Sequence, residues 1–119
     1  MQDFQWTKRL FKAVDSKDSE RFVKYLTEDV SFRFGNGPTV KGKAAVLDSV
    51  NGLFAGLKGL EHQIIEIYQQ ADTIFFHGFV TYTRLDSSTL KVAFANVFKM
   101  QAELIKEYLI FADTSELFK

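Results

Sequence analysis

The sequence predicts an α+β protein, with helices gathered early in the chain and a sheet wrapped over them. Through much of the first half, apolar residues recur at three- and four-residue spacing, which keeps them on one face of a helix. From Glu61 onward they fall instead in long β-rich runs, HQIIEIYQQ, TIFFHGFVTYTR, TLKVAFANVFKM and ELIKEYLIF. The polar breaks between these runs, at Ala71-Asp72, Asp86-Ser87-Ser88 and Gln101-Ala102, are so short that successive strands must be antiparallel neighbours.

Trp6, Leu10, Phe11 and Val14 share one face of a first amphipathic helix running roughly from residue 3 to residue 16. Asp18 is an N-cap with acid following it at Glu20, and Phe22, Val23 and Leu26 mark the buried stripe of a short second helix. Residues 30–34 alternate apolar with polar and predict a strand. Gly35-Asn36-Gly37 supplies the positive φ angles of a tight turn, and Thr39-Val40-Lys41 reads as a short return strand. A third helix carries Val46, Leu47, Val50, Leu53, Phe54 and Leu57 on one face and is ended by the glycines at 56 and 59. The four long runs then form the sheet.

At 119 residues the chain is the size of one domain, spanning 1–119, and can bury a substantial core. Fifteen basic and fifteen acidic side chains cancel, with no basic run to neutralise a row of phosphates, so nucleic acid is not expected as a partner. No cysteine is present, which removes disulfides, thiolate metal sites and cysteine nucleophiles. That fits a reducing compartment, and the expected location is the cytoplasm. The N-terminal MQDFQWTKRLF lacks the organisation of a signal peptide, and no apolar stretch approaches the ~20 residues that cross a bilayer. The thirteen phenylalanines either fill a thick core or line an apolar cavity, and that choice decides the function.

The order of elements and three local strings resemble the nuclear transport factor 2-like superfamily, in particular its SnoaL-like polyketide cyclase and ketosteroid isomerase branch. The strings are YLTEDVSFRF closing the helical hairpin, GNGPTVKGKAAV leading into the third helix, and FANVFKMQAELIKEYLIFADTSELF at the end. The resemblance covers nearly the whole chain. It implies a cystatin-like cone, in which a curved antiparallel sheet wraps three N-terminal helices around an apolar pocket, often in a homodimer, with acidic residues inside the pocket in the enzymes. An ungapped alignment of the first 37 residues sets Leu10 against the family's oxyanion tyrosine and Phe34 against its carboxylate base; Asn96 stands where the family's oxyanion aspartate stands. Asparagine still donates a hydrogen bond, but phenylalanine accepts no proton, so steroid isomerisation by that mechanism is disfavoured. Arg84-Leu85-Asp86 resembles the epoxide hydrolase Arg-x-Asp pair in letters only, since Asp86 falls in a turn.

Alternation along the penultimate strand puts Val92, Phe94, Asn96, Phe98 and Met100 on the concave face, and Lys91, Ala93, Ala95, Val97 and Lys99 on the other. A lone amide among large apolar side chains must bond a protein group or a ligand. In the last strand Glu107 shares parity with Ile105, Leu109 and Phe111, so it is a second inward polar candidate able to replace the missing base. Asn96 and Glu107 are therefore the catalytic candidates. Candidate substrate contacts are Phe34, Phe54, Tyr82, Phe94 and Phe98, with Trp6 at the mouth and His77 in mid-strand, where Gly78 can mark a bulge that shifts the parity. Neither His62 nor His77 has a second ligand at short spacing, so no metal is expected, and no cofactor is called for. Asp113 reads as a turn cap, and Gly35 and Gly37 as backbone geometry. Ala93, Ala95 and Val97 with Tyr108 and Ile110 make a flat apolar convex face, which a second copy of the chain would cover.

Together with these residues, the resemblance implies two alternative functions. One is a pocket protein that binds an apolar or aromatic carbonyl compound and acts by proton transfer as a cyclase or isomerase. The other is a non-catalytic binding or interaction domain of the same fold, whose phenylalanines fill the cone.

Overall fold

The computed structural model describes residues 4–118. In chain order these form α1 (Phe4–Asp15), α2 (Ser19–Phe22), a 3-10 turn (Val23–Tyr25), β1 (Leu26–Phe34), β2 (Val40–Lys41), α3 (Lys43–Ala55), β3 (Leu57–Gln70), β4 (Thr73–Arg84), β5 (Thr89–Gln101) and β6 (Leu104–Ala112). Among them no helix is long and apolar enough to cross a membrane.

The α1 stripe is buried as its spacing requires: Trp6, Leu10, Phe11, Ala13 and Val14 all enter the core. The helix stops because Lys17 turns left-handed at φ 56°. Its N–H then reaches the Val14 carbonyl at 2.9 Å while Asp18 N–H reaches Ala13 at 3.0 Å, closing the last turn in a Schellman motif. The Asp18 carboxylate in turn accepts from Arg21 N–H at 3.2 Å and starts α2.

Six strands form one curved, unclosed sheet in the order β2-β1-β6-β5-β4-β3. β3 to β6 are the antiparallel meander that the short breaks predict. Each of its three turns contains one non-glycine residue in the left-handed region, Ala71, Ser87 or Ala102. The pairing that joins the two halves of the chain was not predicted: β6 lies parallel to β1, with Phe32 opposite Tyr108. This contact places the early strand, and with it α3, beside the end of the meander.

Three boundaries differ from expectation. β1 begins at Leu26 rather than at residue 30, and α3 ends at Ala55, so Leu57 and Gly59 belong to β3. Leu57 continued the helical apolar spacing, yet its burial comes from the sheet. In the GNG turn only Gly35 adopts a positive φ, 57°. There its N–H binds Ile110 O at 2.9 Å, and a Cβ would sit 3.3 Å from Ala112 O, so the turn is built to pass close to β6.

Register shifts in β1, β3 and between β5 and β6 set which side chains enter the cone, and two of them bear on the candidate residues. In β3 the register slips between Ile64 and Glu66, across from Gly78 and His77. The slip is confined to β3, so β4 keeps a regular alternation: Ile74, Phe76, Val80 and Tyr82 point inward while Phe75, His77 and Phe79 point outward. In β6 the slip between Lys99 and Met100 leaves Lys106 unpaired. Beyond it the parity reverses, so Tyr108 is buried inward and Glu107 and Phe111 face outward, opposite to the expectation from uninterrupted alternation.

Candidate functional site

Side chains from α1, α2, α3 and five strands enclose a cavity between the helices and the concave face of the sheet. Its wall is mostly apolar, including Phe22, Phe32, Val50, Phe54, Val80 and Phe94. The space left for the centres of water molecules is about 40 Å³, enough for a few waters. The phenylalanines thus fill most of the cone and leave a small chamber.

Five of the nine candidate residues line this chamber: Phe34, Phe54, Tyr82, Phe94 and Asn96. The other four do not. Trp6 packs in the core edge-on to Tyr25 and Phe98, with centroids at 5.6 and 6.3 Å, and Phe98 is fully buried behind the wall against Tyr108 at 4.4 Å. Large ring size, which made both attractive as ligand contacts, serves packing here. His77 is on the outer face, half exposed, with Nε2 2.9 Å from Glu66 Oε1. Tyr68 donates to the other oxygen of the same carboxylate at 2.5 Å, and these two bonds, the tyrosine's first, hold Glu66 below the usual carboxylate range. Glu107 is likewise outside the chamber, in a polar surface groove with Asp29, Lys41 and Lys106, because the Lys106 bulge turned the strand over. Asp86 and Asp113 are turn residues as predicted, each accepting a backbone N–H two residues on.

Asn96 lies on the concave face, as the alternation of β5 predicts. It is 2 % exposed, lies in the chamber wall, and its Oδ1 has no hydrogen-bond partner. An unpaired buried acceptor costs about 1–3 kcal/mol, a cost that a ligand donor would remove.

The most reactive arrangement in the wall is one that the sequence reading missed. His62, on the inward side of β3, presents its ring between Phe11 at 4.5 Å and Phe94 at 5.2 Å, and its Nδ1 is 2.6 Å from Oδ1 of Asp15 at the end of α1. The second carboxylate oxygen accepts the backbone N–H of His62 at 2.9 Å. With both oxygens engaged as acceptors, the imidazole is fixed in orientation and donates from Nδ1, so that in the neutral ring the lone pair is on Nε2. The partners are 47 residues apart, so no local motif announces them. The available signal was the alternation Leu60, His62, Ile64, which places the histidine on the core face of its strand.

Tyr82 and Tyr108 also line the chamber. Burial pushes the Tyr82 phenol up to about 12. Burial raises Tyr108 as well, and the charges of Tyr82 and Asp15 add to it. Both remain protonated donors at neutral pH. In an unfolded chain tyrosine ionises near 10, whereas folded Tyr82 keeps its proton to about 12. Its contribution to stability is therefore complete below pH 10 and declines as the pH rises from 10 toward 12. Tyr82→Phe should remove about 2 kcal/mol of this alkaline loss, read as urea stability at pH 9 against pH 11.5. An equally steep loss in the variant would show that the phenol is not shielded.

Residues 7–108 match the family model described as the SnoaL-like domain. The chain belongs to the SnoaL-like family. None of the curated proteins compared with the sequence matches it. Among solved structures, the SnoaL-like chain is similar to a nuclear transport factor 2-like protein of unknown function from Burkholderia pseudomallei (TM-score 0.85, 16% identity, covering 95% of this chain and 92% of that one). It is similar to TerC co-crystallised with polyporic acid (TM-score 0.81, 18% identity, 95% and 92% covered). It is also similar to a protein of ketosteroid isomerase-like fold from Catenulispora acidiphila in complex with trimethylamine (TM-score 0.83, 12% identity, 92% and 86% covered). At these identities the likeness establishes the fold, the α+β cone that the sequence predicted.

Proposed function

We propose that this SnoaL-like chain, acting as one domain, binds a small, largely apolar molecule bearing a carbonyl or enol oxygen and moves a proton on it. The observation that carries this reading is the unpartnered Oδ1 of Asn96 in the same apolar chamber as His62, whose ring is held by Asp15. His62 Nε2 serves as the base and returns the proton as imidazolium, with Asp15 holding the ring and offsetting its charge. Asn96 holds an enol hydroxyl through Oδ1 or a carbonyl oxygen through its NH₂ group, and the raised Tyr82 and Tyr108 phenols are donors for charge developing there. His62 takes the role first assigned to Glu107. Small molecules bound to proteins of the same fold, polyporic acid and trimethylamine, support a ligand-holding cone.

Native mass spectrometry of freshly purified protein, repeated after solvent extraction, tests the reading. A co-purifying compound is expected, and Asn96→Ala should lose it while melting within a few degrees of the parent. Retention of the compound by the variant would remove Asn96 from the site.

The small volume of the chamber favours a second reading, in which the cone is a filled scaffold and the outer sheet face recruits a protein. That face exposes Tyr68, Phe75, Phe79 and Phe111 around Ala93 and Ala95, with Lys91 over the Phe79 ring at 4.9 Å and Arg33 over Phe111 at 5.4 Å. The outer strip of β6 is Leu109 and Phe111, in place of the Tyr108 and Ile110 first assigned to it. In the first reading this aromatic face is covered by a second copy of the chain, so sedimentation at micromolar concentration should give a dimer, and a monomer would contradict it.

A further inference from the structure

A second, larger space lies directly outside the chamber, bounded by Phe32, Phe34, Ser49, Val50, Leu53, Thr114, Leu117 and Phe118. Four of these residues, Phe32, Phe34, Val50 and Leu53, also wall the inner chamber, so one set of side chains separates the two. Phe32 and Val50 are buried, whereas Phe34 and Leu53 are half-buried. The outer space holds about 220 Å³ for water centres against about 40 Å³ inside, and only Ser49 and Thr114 among its lining residues are polar.

The roof of the outer space is the segment that follows β6. Leu117 is 1 % exposed, and its carbonyl accepts Arg84 Nε at 2.9 Å while Glu116 O accepts Nη2 at 3.0 Å. Leu117 N–H closes on Thr114 O at 3.0 Å. Thr114 and Leu117 are thereby held over an apolar hollow, beside a chamber that contains an unpaired buried acceptor. The inner chamber leaves room only for a compact head group, and it carries His62 and Asn96.

We infer that the two spaces form a single elongated site and that its ligand is an amphipathic molecule with a compact enolic or phenolic head and an apolar tail. The head hydroxyl donates to Asn96 Oδ1 near His62; the tail passes between Phe34 and Leu53 and lies under Leu117. This rests on the proposed function, since it assumes that the inner chamber takes the oxygen-bearing end.

Phenol and 4-pentylphenol separate the two ideas, because phenol presents a hydroxyl on an sp2 carbon without a tail. Binding is followed by NMR on the Asn96 side-chain amide and the Leu117 methyls. Each methylene buried in the outer space adds roughly three- to fourfold in affinity, so 4-pentylphenol should bind more than tenfold tighter than phenol. Both should move the Asn96 signals and only the longer ligand those of Leu117. Ser49→Trp, a substitution at an exposed helix position, fills the outer space and should bring 4-pentylphenol to within threefold of phenol. Should that variant not fold, Thr114→Trp fills the same space from the roof. Equal affinities for the two ligands, with Asn96 shifted by both, would overturn the elongated site and leave the inner-chamber reading standing. No shift of Asn96 with either at millimolar concentration would overturn both.

Discussion

His62→Gln should slow proton exchange on the bound compound by about 10²- to 10⁴-fold, the range that a positioned general base contributes. The readout is deuterium incorporation from D₂O at carbon next to the carbonyl, measured by mass spectrometry on the compound that co-purifies. Glutamine keeps polarity in the wall between Phe11 and Phe94 but offers no basic nitrogen. Asp15→Asn tests the same geometry from the other partner. At present Asp15 accepts from both the His62 ring and the His62 backbone, at 2.6 and 2.9 Å. An asparagine that still accepts the backbone N–H must turn its NH₂ toward Nδ1. The imidazole would then carry its proton on Nε2, and the base would be lost with the ring still in place. Asp15→Asn should therefore match most of the loss in His62→Gln. Full exchange in either variant would remove the pair from the mechanism.

Gly78→Ala should destabilise the protein by about 3 kcal/mol or more, since the new methyl can be accommodated only by moving backbone. A Cβ on Gly78 would lie 1.9 Å from Gln63 O, 2.9 Å from Gln63 C and 3.0 Å from Ile64 Cα. The glycine faces the β3 bulge, where Ile65 is the extra residue and the bulged backbone crowds β4. Gly52 in α3 is the contrasting case. A Cβ there meets nothing within 4 Å, so Gly52→Ala should stabilise by about 0.5–1 kcal/mol through helix propensity. Urea unfolding of both variants measures the difference, and near-parental stability for Gly78→Ala would mean that the bulge rearranges freely. The consequence reaches the site, because the bulge lies only two residues beyond His62 on the same strand.

What could be read from the sequence depended on uninterrupted local patterns. The β5 alternation placed Asn96 and Phe94 correctly because that strand is regular from Thr89 to Lys99, and the three short breaks fixed the meander. Alternation failed in β6 because one unpaired residue, Lys106, reverses every side chain after it, and a lysine among charged neighbours gives no sign of a bulge. Glu107 and Tyr108 exchanged faces for this reason alone. The parallel β1–β6 pairing and the Asp15–His62 contact are long-range, joining segments that have no shared local signal. Trp6 and Phe98 show a different limit: hydrophobic pattern identifies a buried ring but does not separate a core position from a cavity wall. Where the cone is hollow depends on how the inward-facing phenylalanines pack together, which is a property of the assembled structure.

The measurement that bears most directly on the central claim is the nitrogen NMR spectrum of the His62 ring in uniformly labelled protein, free and with phenol. The account requires protonated Nδ1 and unprotonated Nε2 in the neutral ring, with Nε2 moving as phenol binds and Nδ1 held by Asp15. A proton on Nε2 in the free protein, or ring nitrogens unmoved at saturating phenol, would contradict it.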